Sequence, residues 1–139
     1  MLNLKEFINP WSVDGACIVS TIAALIEMPE REVYDEYIKD DHVKNGRMEV
    51  SPDDLLGILV LAGYNHDVFW KPSARRRRDR PNMGTVSNMI AESNPKGKFL
   101  VMNLTNHVLA IVDGKIIDTQ RLSSRFRYPT DIVYSITPL

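Results

Sequence analysis

The sequence predicts an α+β fold in which amino-terminal helices pack on a carboxy-terminal antiparallel sheet. Three observations support this prediction. The first part of the chain carries apolar segments with helix start and stop signals, and from Phe99 onward it changes to short runs rich in β-branched residues. Turn signals such as Asp113-Gly114 separate these later runs. We therefore expect the helices to lie on one face of a single sheet.

Three helices are predicted before the sheet, each with its own start signal. The first begins near Ala16 and has apolar residues on every side, which is typical of a helix enclosed by other elements. The second begins at Pro29, which suits a first-turn position, and the third follows Ser51, which can cap free backbone amides. Gly63 closes the third helix as a left-handed cap. The expected spans are about 16–26, 29–39 and 52–62.

The remaining elements are one short helix and the strands. A strand is expected at Val68-Phe69-Trp70, and a helix at 85–92 that ends before Pro95. The β-rich runs are 99–104, 107–112, 115–119 and 132–136. Residues 71–82 are polar, dense in arginine and bounded by prolines, so we expect a long exposed loop there.

Length and composition indicate one ordinary domain over residues 1–139. The chain is 44% hydrophobic and 25% charged. A single cysteine cannot form an internal disulfide, and no signal-peptide pattern is present, so we expect a cytoplasmic protein. No apolar run approaches the roughly 20 residues that cross a bilayer, so no membrane association is expected. The sequence leaves the oligomeric state open.

The net charge of -1 hides a strong local asymmetry. Residues 27–54 contain ten acidic side chains against four basic ones, whereas residues 75–80 contain five arginines and one aspartate. Opposite patches of this kind can steer a protein partner, a polyanion or a second copy of the chain.

The only cysteine, Cys17, lies at the predicted start of the first helix, far before His107 and Asp118 on the predicted strands. This order of thiol, imidazole and carboxylate is what a thiol hydrolase needs. A helix amino terminus stabilises a thiolate, and an imidazole can take the proton from the thiol. The sequence therefore indicates one candidate nucleophile and one candidate base.

The predicted hairpin brings the candidate base close to a carboxylate. If Asp113-Gly114 is a two-residue turn, Val112 pairs with Lys115. His107 and Asp118 are then diagonal neighbours on one face, roughly 7 to 8 Å apart between backbone positions. A hydrogen bond between the two side chains is within reach, and it would orient the imidazole ring.

Acyl chemistry also needs hydrogen-bond donors for the developing oxyanion. The backbone amide of Cys17 is one candidate donor. Asn9 is the nearest side-chain amide before Cys17 and is the second candidate. Asn9 also precedes a proline, so an ordinary loop role is the alternative interpretation.

Three segments resemble the papain-like cysteine peptidases, in the compact form found among small bacterial and phage proteins. They are Asp14-Gly15-Ala16-Cys17 with its apolar helix, Asn106 to Gly114, and Lys115 to Thr119. The resemblance implies a papain-like domain with Cys17 as nucleophile, His107 as base and Asp118 as the orienting residue. The family usually carries Gln, less often Asn, shortly before the cysteine, and here no Gln occurs before Gln120.

Plainer interpretations stand beside these. Free cysteines are often inert core residues, and Asp118 can cap a turn instead of orienting a ring. His42 and His66 have no further ligand at metal-binding spacing, so we expect solvated histidines, no metal site and no cofactor.

Two functions are expected from these features, and a third is less favoured. The first is a thiol hydrolase that cleaves a peptide or isopeptide bond. The alternative is a non-catalytic papain-like interaction module, for example a phage protein that binds or inhibits a host protein. The third is binding of single-stranded nucleic acid by the run Arg75-Arg76-Arg77-Arg78 next to Phe69 and Trp70, which the sequence pI near 6.3 argues against.

Overall fold

The structure is a computed structural model that describes residues 16–38, 42–44, 47–48, 50–73, 75–104, 107–117 and 128–139. Within these ranges it is an α+β fold with four α-helices and a five-stranded antiparallel sheet. The helices are α1 (Ala16–Ile26), α2 (Glu30–Tyr37), α3 (Pro52–Leu61) and α4 (Met83–Ser93).

The predicted start of α3 is confirmed, α2 begins one residue after the predicted start at Pro29, and α4 begins at Met83, two residues before the predicted start. Pro29 directly precedes α2, and the Ser51 hydroxyl accepts a hydrogen bond from the Asp54 amide at 3.1 Å, which caps α3. Gly63 follows α3 with a φ of +94°, a left-handed conformation that glycine adopts without strain. The capping hydroxyl of Ser51 and the left-handed conformation of Gly63 therefore mark the two ends of α3, as the sequence predicts.

Two short strands, β1 (Val43–Lys44) and β2 (Arg47–Met48), form a separate hairpin. The main sheet contains β3 (Tyr64–Trp70), β4 (Lys98–Asn103), β5 (His107–Val112), β6 (Lys115–Ile117) and β7 (Ile132–Pro138). Its spatial order is β3-β7-β4-β5-β6, and each neighbouring pair is antiparallel. β3 is longer than the predicted three-residue strand.

The β5–β6 hairpin has the predicted turn and register. Asp113 and Gly114 have φ angles of +50° and +78°, and positive values at both central positions are typical of a type I′ turn. Val112 pairs with Lys115 and Ala110 with Ile117, as the two-residue turn requires. The pairing that the sequence predicts for this hairpin is confirmed over the described residues.

Helices cover both faces of the sheet, so the expectation of a single covered face is wrong. α1, α2 and α3 form one core cluster with a set of strand residues that includes Leu100 and Ala110. α4 forms a second cluster with their strand neighbours, including Val101 and Leu109. These four strand residues are all fully buried. They belong to the unbroken apolar runs of β4 and β5, and such runs are typical of strands buried on both faces.

The segment 71–82 lies between β3 and α4, and those of its side chains that the structure describes are mostly exposed, with one short 3-10 turn at Arg77–Asp79. The end of this segment is fixed to the strand that precedes β7. Asn82 forms a β-bridge with Pro129, and the Thr130 amide donates to the Pro81 carbonyl at 2.9 Å. The segment is thus held at one end of the sheet. None of the helices in the described part of the chain has the length and apolar character to span a bilayer.

Candidate functional site

The start of α1 and the start of β5 lie at the same end of the sheet. At the opposite end, Lys98 Nζ donates to the Leu25 carbonyl at 2.8 Å and lies 3.4 Å from a Glu27 carboxylate oxygen. Lys98 pairs with Val112, the last residue of β5, so the carboxyl ends of α1 and β5 are adjacent. From Leu25 back to Cys17 the helix rises about 12 Å, and β5 is about 16 to 20 Å long. Because α1 packs along β5, the helix start lies near His107.

Two more helices begin at this end. α3 runs toward the start of β3, so its own start lies near Trp70 at the end of that strand. α4 begins where Asn82 bridges Pro129, just before β7. We call this region the helix-start end: the starts of α1, α3 and α4 with the strand residues at 70, 103, 107 and 132. It gathers the positive ends of three helices around the expected site.

His107 is buried at this end, with 4% of its surface exposed. It is the first residue of β5 and pairs directly with Asn103, which is also buried and donates from Nδ2 to the Pro129 carbonyl at 2.8 Å. Alternation along β5 gives His107 the same face as Leu109 and Ile111. Those two residues pack against α4. The imidazole therefore belongs to the sheet face that α4 covers.

α1 covers the other face of β5, where Val108 and Ala110 join the cluster of Val19 and Ile22. Cys17 is the second residue of α1, and only its backbone is described. The structure thus brings Cys17 and His107 to one end of the sheet, while the strand alternation assigns the helix and the imidazole to opposite faces. The predicted contact between the thiol and the imidazole stays a prediction.

The other two candidate residues, Asp118 and Asn9, lie outside the described residues. The confirmed register of β5 and β6 ends at Ile117, one position before Asp118. The role of Asp118 as orienting carboxylate and that of Asn9 as oxyanion donor stay predictions.

A carboxylate that the sequence analysis missed organises this end of the sheet. Asp131 Oδ1 accepts from Arg80 Nη1 at 2.6 Å, and Oδ2 accepts from the Leu104 amide at 2.7 Å. The Asp131 side chain is 4% exposed and that of Arg80 is 22% exposed. The contact joins the 71–82 segment to the end of β4 and the start of β7. No sequence signal marks it, because the two residues are 51 positions apart and Arg80 stands among similar arginines.

A cavity of about 540 Å³ opens beside this ion pair. The first turns of α3 form one wall, and β7 and the residue that follows β4 form the floor. The 71–82 segment forms the remaining wall. The residues that line it are Pro52, Asp53, Leu56, Lys71, Pro72, Arg80, Leu104, Asp131, Ile132 and Tyr134. Its size lies within the range of about 300 to 1,000 Å³ found for small-ligand sites.

The two remaining histidines are half-buried, so the expectation of solvated rings is wrong for both. His42 Nε2 lies 3.6 Å from an Asp54 carboxylate oxygen, and the ring of His66 packs edge-on against Tyr134 with 5.5 Å between ring centroids. In the described ranges, no group of three or more histidine, cysteine, aspartate or glutamate residues is arranged to hold a metal ion.

Comparisons with known proteins give no relative for this chain. No family model matches it, and neither a curated protein nor a solved structure matches it. The comparisons therefore assign the chain to no family.

Proposed function

We propose that this chain is a papain-like thiol hydrolase that cleaves a peptide or isopeptide bond at the helix-start end of its sheet. The observation that supports the proposal is the parallel packing of α1 along β5, which brings the helix start that carries Cys17 to the same end of the sheet as the strand start that carries His107.

In this proposal the imidazole of His107 takes the proton of the Cys17 thiol, and the thiolate attacks the carbonyl carbon of the scissile bond. The tetrahedral oxyanion accepts hydrogen bonds from the Cys17 backbone amide and the Asn9 side chain. When the carbon–nitrogen bond breaks, the imidazolium gives its proton to the departing amine. Water activated by His107 then hydrolyses the acyl thioester, and Asp118 holds the ring orientation throughout.

The reaction places one geometric demand on β5. His107 is the first residue of the strand, and its alternation directs the ring toward α4. For the ring nitrogen to meet the thiol, the imidazole must pass around the amino end of the strand toward α1. A hydrogen-bond distance between the two side chains is the requirement on which the hydrolase depends.

The alternation of side chains along β5 also favours a second candidate function. It is a non-catalytic papain-like module that binds a protein partner. If the imidazole stays on the α4 face, the thiol has no base, and the conspicuous features of this end are its charges and its cavity. A phage protein that binds and inhibits or redirects a host protein is one such module.

Thiol alkylation separates the two candidates. Iodoacetamide should modify Cys17 in the folded hydrolase at near-neutral pH faster than it modifies a model thiol. The reason is that the thiolate, formed when an imidazole takes the thiol proton, is the reactive species. His107→Ala should slow this reaction. His66→Ala is the matched control, because it removes a half-buried imidazole from β3 instead.

The rate is followed by mass spectrometry across a pH series. A thiol that reacts only after denaturation, or one whose rate is changed equally by both histidine variants, would refute the hydrolase and leave the binding module. Hydrolysis of a fluorogenic peptide that is lost in Cys17→Ser would refute the binding module.

A further inference from the structure

The lining of the cavity at the helix-start end combines apolar and charged side chains. Leu56 from α3 and Ile132 and Tyr134 from β7 supply apolar and aromatic surface. Pockets that bind ligands in proteins are mostly apolar and carry a few polar groups that fix orientation. Neither the hydrolase nor the binding module yet assigns a ligand to this cavity.

Four charged side chains line the cavity, two acidic and two basic, and they differ in how they are paired. Asp131 is paired with Arg80, and Asp53 lies in the first turn of α3, where the positive helix end offsets a carboxylate. Lys71 also lines the cavity, is exposed and has no ion pair with any residue that the structure describes. Lys71 is therefore the lining cation that adds to the positive charge of the arginine run outside the cavity.

Exposed arginines extend this positive charge away from the cavity. Arg80 Nη2 donates to the Arg75 carbonyl at 3.4 Å, which places the arginine run beside the cavity wall. The side chains of Arg75, Arg76 and Arg78 are exposed, and they too form no ion pair within the described ranges. We call Lys71 and these three arginines the basic rim.

We propose that the cavity and the basic rim bind an acidic protein segment that carries an apolar side chain. The apolar side chain fills the cavity between α3 and β7, and the flanking carboxylates pair with the basic rim. Arginine suits this task because its planar guanidinium can bind a carboxylate through two hydrogen bonds. The site is compatible with either candidate function, as a substrate subsite or as the docking surface of a binding module.

A nucleic acid fits this surface less well than an acidic peptide. The bases of a single-stranded nucleic acid bind to proteins by stacking on exposed aromatic faces. Trp70 packs against the α4-face core, and Phe69 packs edge-on against Phe99 with 4.7 Å between ring centroids. Trp70 is therefore engaged in the fold, and Phe69 has one edge against Phe99, although 44% of its surface is exposed. A nucleic acid also carries no aliphatic side chain that would fill the space between Leu56 and Ile132.

Fluorescence anisotropy with the whole chain tests the proposal. The probe is a short labelled peptide of alternating glutamate and leucine, titrated at low and at physiological salt. We expect saturable binding that salt weakens, and a loss of affinity on the order of tenfold or more in the double variant Arg75→Glu, Arg76→Glu. The matched control Lys96→Glu, Lys115→Glu makes the same charge change at exposed sites on the opposite end of the sheet and should bind nearly as well as the wild type.

Changes in the probe test the cavity and the ligand class. Replacing each leucine of the peptide with serine should weaken binding, since the cavity then receives no apolar side chain. Equal binding of the serine peptide, equal loss in both double variants, or no binding at all would overturn the proposal. Tighter binding of a single-stranded oligonucleotide would overturn it in favour of nucleic acid. Self-association that Arg75→Glu, Arg76→Glu abolishes, without peptide binding, would overturn it in favour of a second copy of the chain.

Discussion

Asp131→Asn should destabilise the protein strongly, because the Asp131 side chain accepts two short hydrogen bonds in a nearly dry environment. One of its oxygens meets Arg80 Nη1 at 2.6 Å and the other meets the Leu104 amide at 2.7 Å. Asparagine has nearly the same shape, but it offers one oxygen and one amide group to these two donors. One donor therefore loses its acceptor, and the Arg80 guanidinium loses the negative charge of Asp131.

The magnitude follows from the burial of the two side chains. Removing one partner of a buried ion pair costs about 3 to 5 kcal/mol. Arg80 keeps 22% of its side chain in contact with solvent, so the lower end of that range, about 3 kcal/mol, applies. With a urea m value of about 2 kcal/mol/M, the unfolding midpoint should fall by about 1.5 M.

Urea denaturation followed by circular dichroism measures this change. Asp35→Asn is the control, since Asp35 lies 3.6 Å from Arg31 in an ion pair on the exposed side of α2. Pairs of that kind contribute only about 0.3 to 0.5 kcal/mol. If the two variants lowered the midpoint equally, the Arg80–Asp131 pair would not hold the 71–82 segment to the sheet as inferred.

Four further substitutions test three local features of the fold by urea denaturation. Ser51→Ala removes the acceptor of the Asp54 amide and should cost about 1 kcal/mol; an unchanged midpoint would mean that the cap contributes nothing. Gly114→Ala forces alanine into a φ of +78° and should lower the free energy of unfolding by about 1 kcal/mol or more. Gly57→Ala, in α3 with open space around it, should raise the free energy of unfolding slightly. Changes of the opposite sign would contradict the turn assignment. Burial raises the pKa of Glu30 above its ordinary 4.5, so the folded chain holds that proton more tightly and stability should fall as the pH rises from 4.5 through the raised pKa. Glu30→Gln should remove this fall, and parallel pH profiles of variant and wild type would refute the assignment.

Local chemistry made much of the fold predictable from the sequence. Ser51 and Gly63 mark the ends of α3 because capping and positive φ depend on the residue itself and its immediate neighbours. Asp113-Gly114 sets the β5–β6 register for the same reason. The apolar run Phe99 to Met102 is typical of a strand buried on both faces, but it does not indicate which element covers the second face, where α4 lies.

Long-range contacts were not predictable in this way. The Arg80–Asp131 pair and the cavity beside it depend on how three distant segments meet, and no local pattern encodes that meeting. For the candidate site, the sequence predicted the order of Cys17 and His107 along the chain and their placement on a helix start and a strand start. It could not predict which face of β5 the first helix would cover, and that choice decides whether the two side chains approach each other.

The common direction of α1, α3 and α4 makes the molecule electrically polar. Each helix presents the equivalent of about half a positive charge at its start, and all three starts lie at the end of the sheet to which Arg80 binds. A protein with a net charge of -1 would ordinarily be repelled by a negatively charged resin. This one should still adhere to a cation exchanger at low ionic strength, and it should do so in one preferred orientation, with its arginines toward the matrix.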